Sequence, residues 1–189
     1  MSKSITTRKV AVMGIMAALS VVLVFLVHFP IFPAAPFLEY DPADIPILIA
    51  TFAYGPVSGL VVTAVASVVQ GVTVSAQSGV YGILMHVIST GSFVLTTGLI
   101  YRARHDRRGA GIAIICGVLV SAAVMAVANL IVTPLFMGVP VEAVKAMLLP
   151  VIVPFNLIKS GINGAVTFFL YKPASGLIKG HKTKTSPDG

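Results

Sequence analysis

Apolar residues run along this chain in long blocks, broken by short polar or proline-rich stretches. Within the blocks there is no alternation of period two, so they read as helices and not as half-buried strands. Six helices are expected: helix 1 over about Arg8 to Phe29, helix 2 over Asp44 to Tyr54 and helix 3 over Pro56 to Val74. Helix 4 follows over Val80 to Tyr101, helix 5 over Ala110 to Leu135 and helix 6 over Pro150 to Tyr171. Most are about 20 residues long, the length that crosses a ~30 Å hydrocarbon core. The polar segment after them, residues 173–189, is expected to be a disordered tail. The domain expectation is one six-helix membrane unit over residues 1–172.

The breaks between the blocks are informative. Residues 30–44 read PIFPAAPFLEYDPAD, with four prolines and three acids, and are expected to be a loop. Asp44 is placed to cap helix 2, with Pro46 in the first turn, where a missing N–H costs little. Helix 2 ends at the Tyr54-Gly55-Pro56 turn and is too short to cross a bilayer unaided. It must be buried in protein or lie beside a cavity. The segment FMGVPVEAVKAMLLP between helices 5 and 6 reads as an amphipathic connector.

Composition sharpens the class. The chain of 189 residues is 57% hydrophobic and 10% charged, with mean hydropathy +0.98, against about 25% charged in a soluble domain. It is an all-α integral membrane protein by this reading, not a water-soluble globule. A signal peptide cleaved near Ala34 and Ala35 is the lesser alternative for the first block, which exceeds the usual h-region of about 7–15 residues. A net charge of +7 could serve nucleic acid, but in so apolar a chain it marks basic cytoplasmic loops. Lys3, Arg8 and Lys9 precede helix 1; Arg102, Arg104, Arg107 and Arg108 lie between helices 4 and 5; Lys172, Lys179, Lys182 and Lys184 follow helix 6. Six spans put all of these on one side, so both termini are expected in the cytoplasm. Glu39, Asp41, Asp44 and Glu142 fall on the other side. The single Cys116 allows no disulfide within the chain and sits in apolar surroundings, as a packing residue would.

Small residues recur at helix spacing: Gly59, Thr63, Ser67 and Gly71 on helix 3, Gly14 and Ala18 on helix 1, Gly117 and Ser121 on helix 5. Such stripes let backbones approach closely. Packing within the protein is the first reading for them, with docking of another membrane subunit as the alternative, best suited to helix 1.

Two basic residues fall outside the cytoplasmic sets, and one of them, Lys159, lies deep in helix 6. A lysine at the centre of a membrane helix costs about 2.5–3.5 kcal/mol on insertion scales. Asn156, Lys159 and Asn163 are spaced i, i+3, i+7 and share one helix face. Asn129, near the outer end of helix 5, matches them in depth. These polar groups suit one pocket; snorkelling of Lys159, or pairing with Asp41 or Asp44, is the plainer alternative. His86, after Tyr81 and Met85 on helix 4, is a lesser pocket candidate, as are Gln70 and Gln77 at the outer end of helix 3. Phe32, Phe37 and Tyr40 give the loop aromatic faces for either an interfacial belt or a lid.

The catalytic signatures are missing. The histidines His28, His86, His105 and His181 have no zinc spacing. No paired intramembrane carboxylates, serine elbow or GxxxxGK[ST] occurs. No inverted repeat is evident. The sequence has the makings of a pocket and no engine, no metal site and no resident cofactor. A membrane assembly or structural subunit, using the helix 6 polar face to bind a partner helix, stays open at this level.

The segments PAAPFLEYDPADIPILIATFAYGPVSGL and PFNLIKSGINGAV resemble the substrate-binding S components of energy-coupling factor (ECF) transporters, in particular the riboflavin-specific type. The pattern Tyr-Asp-x-x-Asp-Ile-Pro with its Gly-Pro turn, together with Asn-Leu-Ile-Lys, carries the resemblance, which covers roughly residues 8 to 172. It implies a vitamin bound from outside under the loop after helix 1. A transmembrane coupling subunit and a pair of cytoplasmic ATPases then supply the energy, and the S component topples to release its cargo inward. It implies polar contacts to riboflavin from Asn129, Asn156 and Lys159, with the loop from Leu38 and Glu39 through Tyr40 and Asp41 to Asp44 closing over the ligand. Asn163, one turn deeper, is added to that set. The family's Ala-x-x-x-Ala-like docking motif on helix 1 corresponds here to Gly14 and Ala18, which keep small side chains. Riboflavin would be cargo, and an S component for another vitamin is the alternative within the class.

Overall fold

The computed structural model describes residues 7–33 and 35–179. Lys3, Ala34, His181, Lys182, Lys184 and the end of the expected tail lie outside the described residues. Among the described residues seven α-helices follow one another: α1 (Thr7–Leu26), α2 (Asp44–Tyr54), α3 (Pro56–Val72), α4 (Gly79–Ala103), α5 (Arg107–Met137), α6 (Val141–Met147) and α7 (Val153–Lys179). Between α1 and α2 the chain forms two short antiparallel strands, β1 (Phe29–Pro30) and β2 (Glu39–Tyr40), with Phe29 opposite Tyr40 and Pro30 opposite Glu39. By length and composition four helical stretches can cross a membrane: α1, α4 with the turn before it, α5, and the run from α6 into α7. The helices α2 and α3 are shorter and apolar.

The short second helix is the centre of the fold. Of its 11 residues, nine are buried, against α1, α3, α4 and α7. This meets the demand that a helix too short to span be enclosed by protein. Its end is set by Gly55, whose φ of 90° and ψ of 171° are open to glycine alone, followed by Pro56 in the first turn of α3. Ile47, Leu48 and Ala50 pack with Ala17, Val62, Ala66, Phe93 and Val94 in the main core.

The small-residue stripe of α3 packs inside the protein. A Cβ at Gly59 would overlap Thr51, and one at Gly71 would overlap Ile83. Thr63 and Ser67 are buried between them. Gly117 on α5 is pressed against Phe93 and Thr97, and Ser121 donates to the Ser89 carbonyl at 3.2 Å. Gly14 differs: nothing lies within 4 Å of where its Cβ would be. Gly14 and Ala18 face outward on a helix that also exposes Ile15, Leu19, Val22 and Phe25.

Several boundaries depart from the sequence expectation. The first helix stops at Leu26, not Phe29, because Pro30 drives the preceding residue to extended backbone and Phe29–Pro30 pair with β2. The third ends at Val72, where the Gln70 carbonyl accepts from the Thr73 and Ser75 N–H groups. The basic link between α4 and α5 shrinks to a few residues, because Asp106 caps α5 by accepting from the Gly109 N–H. The last helix runs beyond Tyr171 to Lys179, and Ile178 joins Ile45 and Ile49 in a buried cluster. Asp44 is not the cap of α2: Ala43 holds that position with no side-chain bond, and Asp44 is the first helical residue.

The connector before the last long helix is helical. α6 passes into α7 through a wide π turn, Leu148–Ile152. Pro150 lies in it and has no N–H for the usual helical bond, which favours a wider turn.

Candidate functional site

The loop after α1 is folded down against the helices. Ala35 and Leu38 are buried with Val144, Ile152 and Phe155 of α6, the π turn and α7. Tyr40, Asp41, Ala43 and Asp44 are also buried. Three residues of the α7 polar face meet this loop or the space beneath it.

Lys159 Nζ donates to Asp41 Oδ2 at 2.6 Å, a pair with side chains only 13% and 6% exposed. Asp41 Oδ1 accepts from the Ala43 N–H at 3.0 Å. Burial pushes the Asp41 carboxyl up, but the Lys159 charge, with His86 and the hydrogen bonds from Lys159 and Ala43, outweighs it. The carboxyl is held below the usual carboxylate value. Asn163, one turn deeper, ties the loop down. Its amide donates to the Asp41 carbonyl at 3.0 Å and to Asp44 Oδ2 at 2.9 Å, and its Oδ1 accepts from the Tyr40 hydroxyl at 3.2 Å. Thr90 on α4 donates to the other Asp44 oxygen at 2.6 Å.

The network extends to α3. Ser67 Oγ stands 2.7 Å from the Thr63 carbonyl, to which it can donate, and 2.6 Å from His86 Nδ1. The Thr90 hydrogen is already committed to Asp44, and His86 Nε2 stands 3.5 Å from its oxygen. His86 is thus oriented by Ser67, with its far nitrogen weakly engaged.

Above this floor lies a cavity of ≈ 150 Å³, about ten times what one water needs. Phe37, Leu38, Glu39 and Asp41 line it from the loop; Asn156, Lys159 and Phe155 from α7; Met125, Asn129, Val132, Thr133 and Phe136 from α5; His86, Tyr81, Met85 and Ser89 from α4; Ser67, Gln70 and Gly71 from α3. The cavity sits at the end of the molecule away from the basic helix termini, where α3 and α5 end and α4 and α7 begin. Asn129 keeps its place by donating to the Met125 carbonyl and accepting from Thr133, both at 2.8 Å. Asn156 donates to the Ile152 carbonyl of the π turn at 2.8 Å, and its Oδ1 is left for another partner.

Of the residues singled out from the sequence, Asn129, Asn156, Lys159, His86, Leu38, Glu39 and Asp41 come together around the cavity. Asn163, Tyr40 and Asp44 do not line it. They form the buried scaffold behind the Lys159–Asp41 pair, which corrects the expectation that Asn163 faces the cavity. Lys159 both pairs with Asp41 and lines the cavity. Gln70 lines the cavity, and Gln77 and Phe32 do not. Sequence reasoning missed Thr90, whose role depends on Asp44, and missed the apolar wall of Met125, Val132 and Phe136, which reads like any membrane-helix residues.

A buried ion pair, amides held by their own helices and aromatic walls around a cavity at one end of an apolar helical body define an integral membrane protein built to bind a small molecule. The chain belongs to the family of ECF transporter substrate-specific components, whose model matches residues 8–171. Among its relatives, the riboflavin transporter FmnP of Bacillus subtilis (strain 168) is 30% identical over 172 residues, covering 86% of this chain and 89% of that protein. The riboflavin transporter RibU of Staphylococcus aureus (strain TCH60) is 26% identical over 178 residues, 91% of this chain and 93% of that one. A solved S component of a bacterial ECF transporter superposes with a TM-score of 0.78 at 27% identity, over 91% of this chain and 98% of that one. The chain is therefore the substrate-specific component of an ECF transporter and not an enzyme.

Proposed function

We propose that this protein binds riboflavin from outside the cell and delivers it inward with an ECF transmembrane coupling subunit and a cytoplasmic ATPase pair. The observation that carries this reading is the placement of Lys159 and Asn156 in a cavity walled by Phe37, Phe155 and Phe136. The isoalloxazine ring is flat and apolar with acceptor atoms on its edge. An ammonium and amides meet such an edge, while aromatic and aliphatic walls meet its faces. The relatives FmnP and RibU, named as riboflavin transporters, support the same cargo.

Asn129, Asn156, Lys159, Leu38, Glu39, Asp41 and His86 are the proposed contacts, with Tyr40, Asp44 and Asn163 holding the lid. Six membrane-embedded helices (α1 to α5 and α7) and cytoplasmic termini are the proposed arrangement in a prokaryotic plasma membrane. The basic ends of α1, α4, α5 and α7 support it, gathered opposite the acidic loop. The outward Gly14–Ala18 face of α1 is the proposed docking surface for the coupling subunit, since its small side chains leave room for a close helix contact.

Titration of the purified, detergent-solubilised protein with riboflavin, followed by quenching of flavin fluorescence, tests the reading. Saturable one-to-one quenching is expected. Absence of quenching from folded protein free of bound vitamin would reject riboflavin as the cargo.

A further inference from the structure

Among the described residues, four that are charged or titrate near neutral pH line the cavity: Glu39 and Asp41 from the loop, His86 on α4 and Lys159 on α7. The one lysine is already paired. Its Nζ lies 2.6 Å from Asp41 Oδ2, so the two charges offset each other. His86 is engaged by Ser67 at 2.6 Å. Asp44, behind the pair, meets the Thr90 hydroxyl with one oxygen and the Asn163 amide with the other, as an acceptor-only carboxylate does. Glu39 has no such balance. It is half-buried, and among the described residues its side chain has no hydrogen bond and no ion pair. Neither of its oxygens is sealed inside the protein. Lys145, the other lysine away from the basic helix ends, is exposed on α6 beside Glu142 and does not line the cavity.

Helix ends do not restore the balance. The end of α3 and the start of α4 both reach the cavity, through Gly71 and Tyr81, so the partial negative charge of one offsets the partial positive charge of the other. A ligand with a negative group thus meets no unpaired lysine or arginine on the cavity and an excess of carboxylates around it. Between the apolar walls of Phe37, Phe136 and Phe155 the effective dielectric is low, and like charges repel over several ångströms without contact. An unpaired buried anion costs far more than a hydroxyl that finds a bond. We propose that the site is a filter for uncharged ligands, taking the free vitamin and turning away its phosphate ester, and that Glu39 sets the filter as the unbalanced carboxylate on the cavity. This filter rests on the riboflavin reading above. The ester, with about 1.5–2 negative charges at neutral pH, would have to lose its phosphate outside the cell before uptake by this component.

The test compares riboflavin with riboflavin 5′-phosphate. Both are titrated at low salt, where charge effects are largest, against the purified wild-type protein and Glu39→Gln, which keeps the shape of the side chain and removes its charge. Thermal melting without ligand reports folding, and Glu39→Ser serves if the glutamine variant does not fold. The readout is the ratio of the two affinities, because Glu39 is also a proposed ligand contact and either affinity alone could change for that reason. Wild-type protein is expected to bind the phosphate ester at least ~10-fold more weakly than riboflavin. The ratio is expected to narrow by about threefold or more in Glu39→Gln. Equal affinity of wild-type protein for both would overturn the filter. So would a ratio that Glu39→Gln leaves unchanged, which would show that size and not the Glu39 charge excludes the phosphate. Wild-type protein that binds neither flavin would instead overturn the cargo reading, and the filter with it.

Discussion

The ammonium of Lys159 on α7 stands 2.6 Å from Oδ2 of Asp41 in the loop after α1, across 118 residues of sequence. The pair explains how a lysine is held in an apolar body: its charge is met by a carboxylate that is itself bonded to the Ala43 N–H. It also fastens the loop after α1 to the cavity wall, since both residues line the cavity.

Lys159→Ala removes one partner and leaves Asp41 buried and unpaired. Breaking a buried pair from one side costs about 3–5 kcal/mol. Thermal or denaturant unfolding in detergent is expected to show destabilisation of that order, and riboflavin affinity is expected to fall at least ~10-fold. The double change Lys159→Met with Asp41→Leu should recover stability without recovering affinity. A double variant that binds as wild type does would show that the pair is structural and makes no ligand contact.

Asn163 acts differently, because it holds the loop after α1 by its backbone and side chains. Asn163→Ala strands the Asp44 carboxylate oxygen, the Asp41 carbonyl and the Tyr40 hydroxyl at once. Each unmet buried group costs about 1–3 kcal/mol. The loop over residues 30–44 should become sensitive to protease in the absence of ligand, with faster riboflavin release. Protease resistance equal to wild type would show that the apolar packing of Ala35 and Leu38 holds the lid without Asn163.

The glycines separate packing from docking. Gly59→Ala and Gly71→Ala force a methyl into Thr51 and Ile83, so each should destabilise by about 1–3 kcal/mol. Gly14→Ala meets open space and should be neutral within ~0.5 kcal/mol. Gly14→Leu should leave riboflavin binding intact while lowering uptake in cells that contain the coupling module. Uptake unchanged by leucine at position 14 would move the docking surface off α1.

The Asp41 carboxyl predicts a pH profile. Its value in the folded protein lies below the ordinary carboxylate value. Its contribution is therefore fully present above the unfolded value and is lost as pH falls through the folded one. Stability is expected to be flat from about pH 8 to 5 on account of this pair and to fall only below ~4. Asp41→Asn should remove that acid limb. A limb that persists in the variant would show that Asp41 does not set it.

The class of this protein was legible in its sequence, and part of the site was too. Long apolar blocks, lysine and arginine at one set of helix ends, and the i, i+3, i+7 spacing of Asn156, Lys159 and Asn163 are local properties, set by composition and helix geometry. The enclosure of α2 followed from its length alone, because a short apolar helix has to be surrounded. What only the tertiary structure decided are the contacts between elements distant in sequence. The choice of Asp41 over Asp44 as partner to Lys159, the withdrawal of Asn163 to a scaffold, the bond from Thr90 to Asp44 and the inward turn of the α3 stripe all depend on how helices stack. Helix periodicity tells which residues share a face; the energy of packing and of satisfying buried polar groups decides what that face meets.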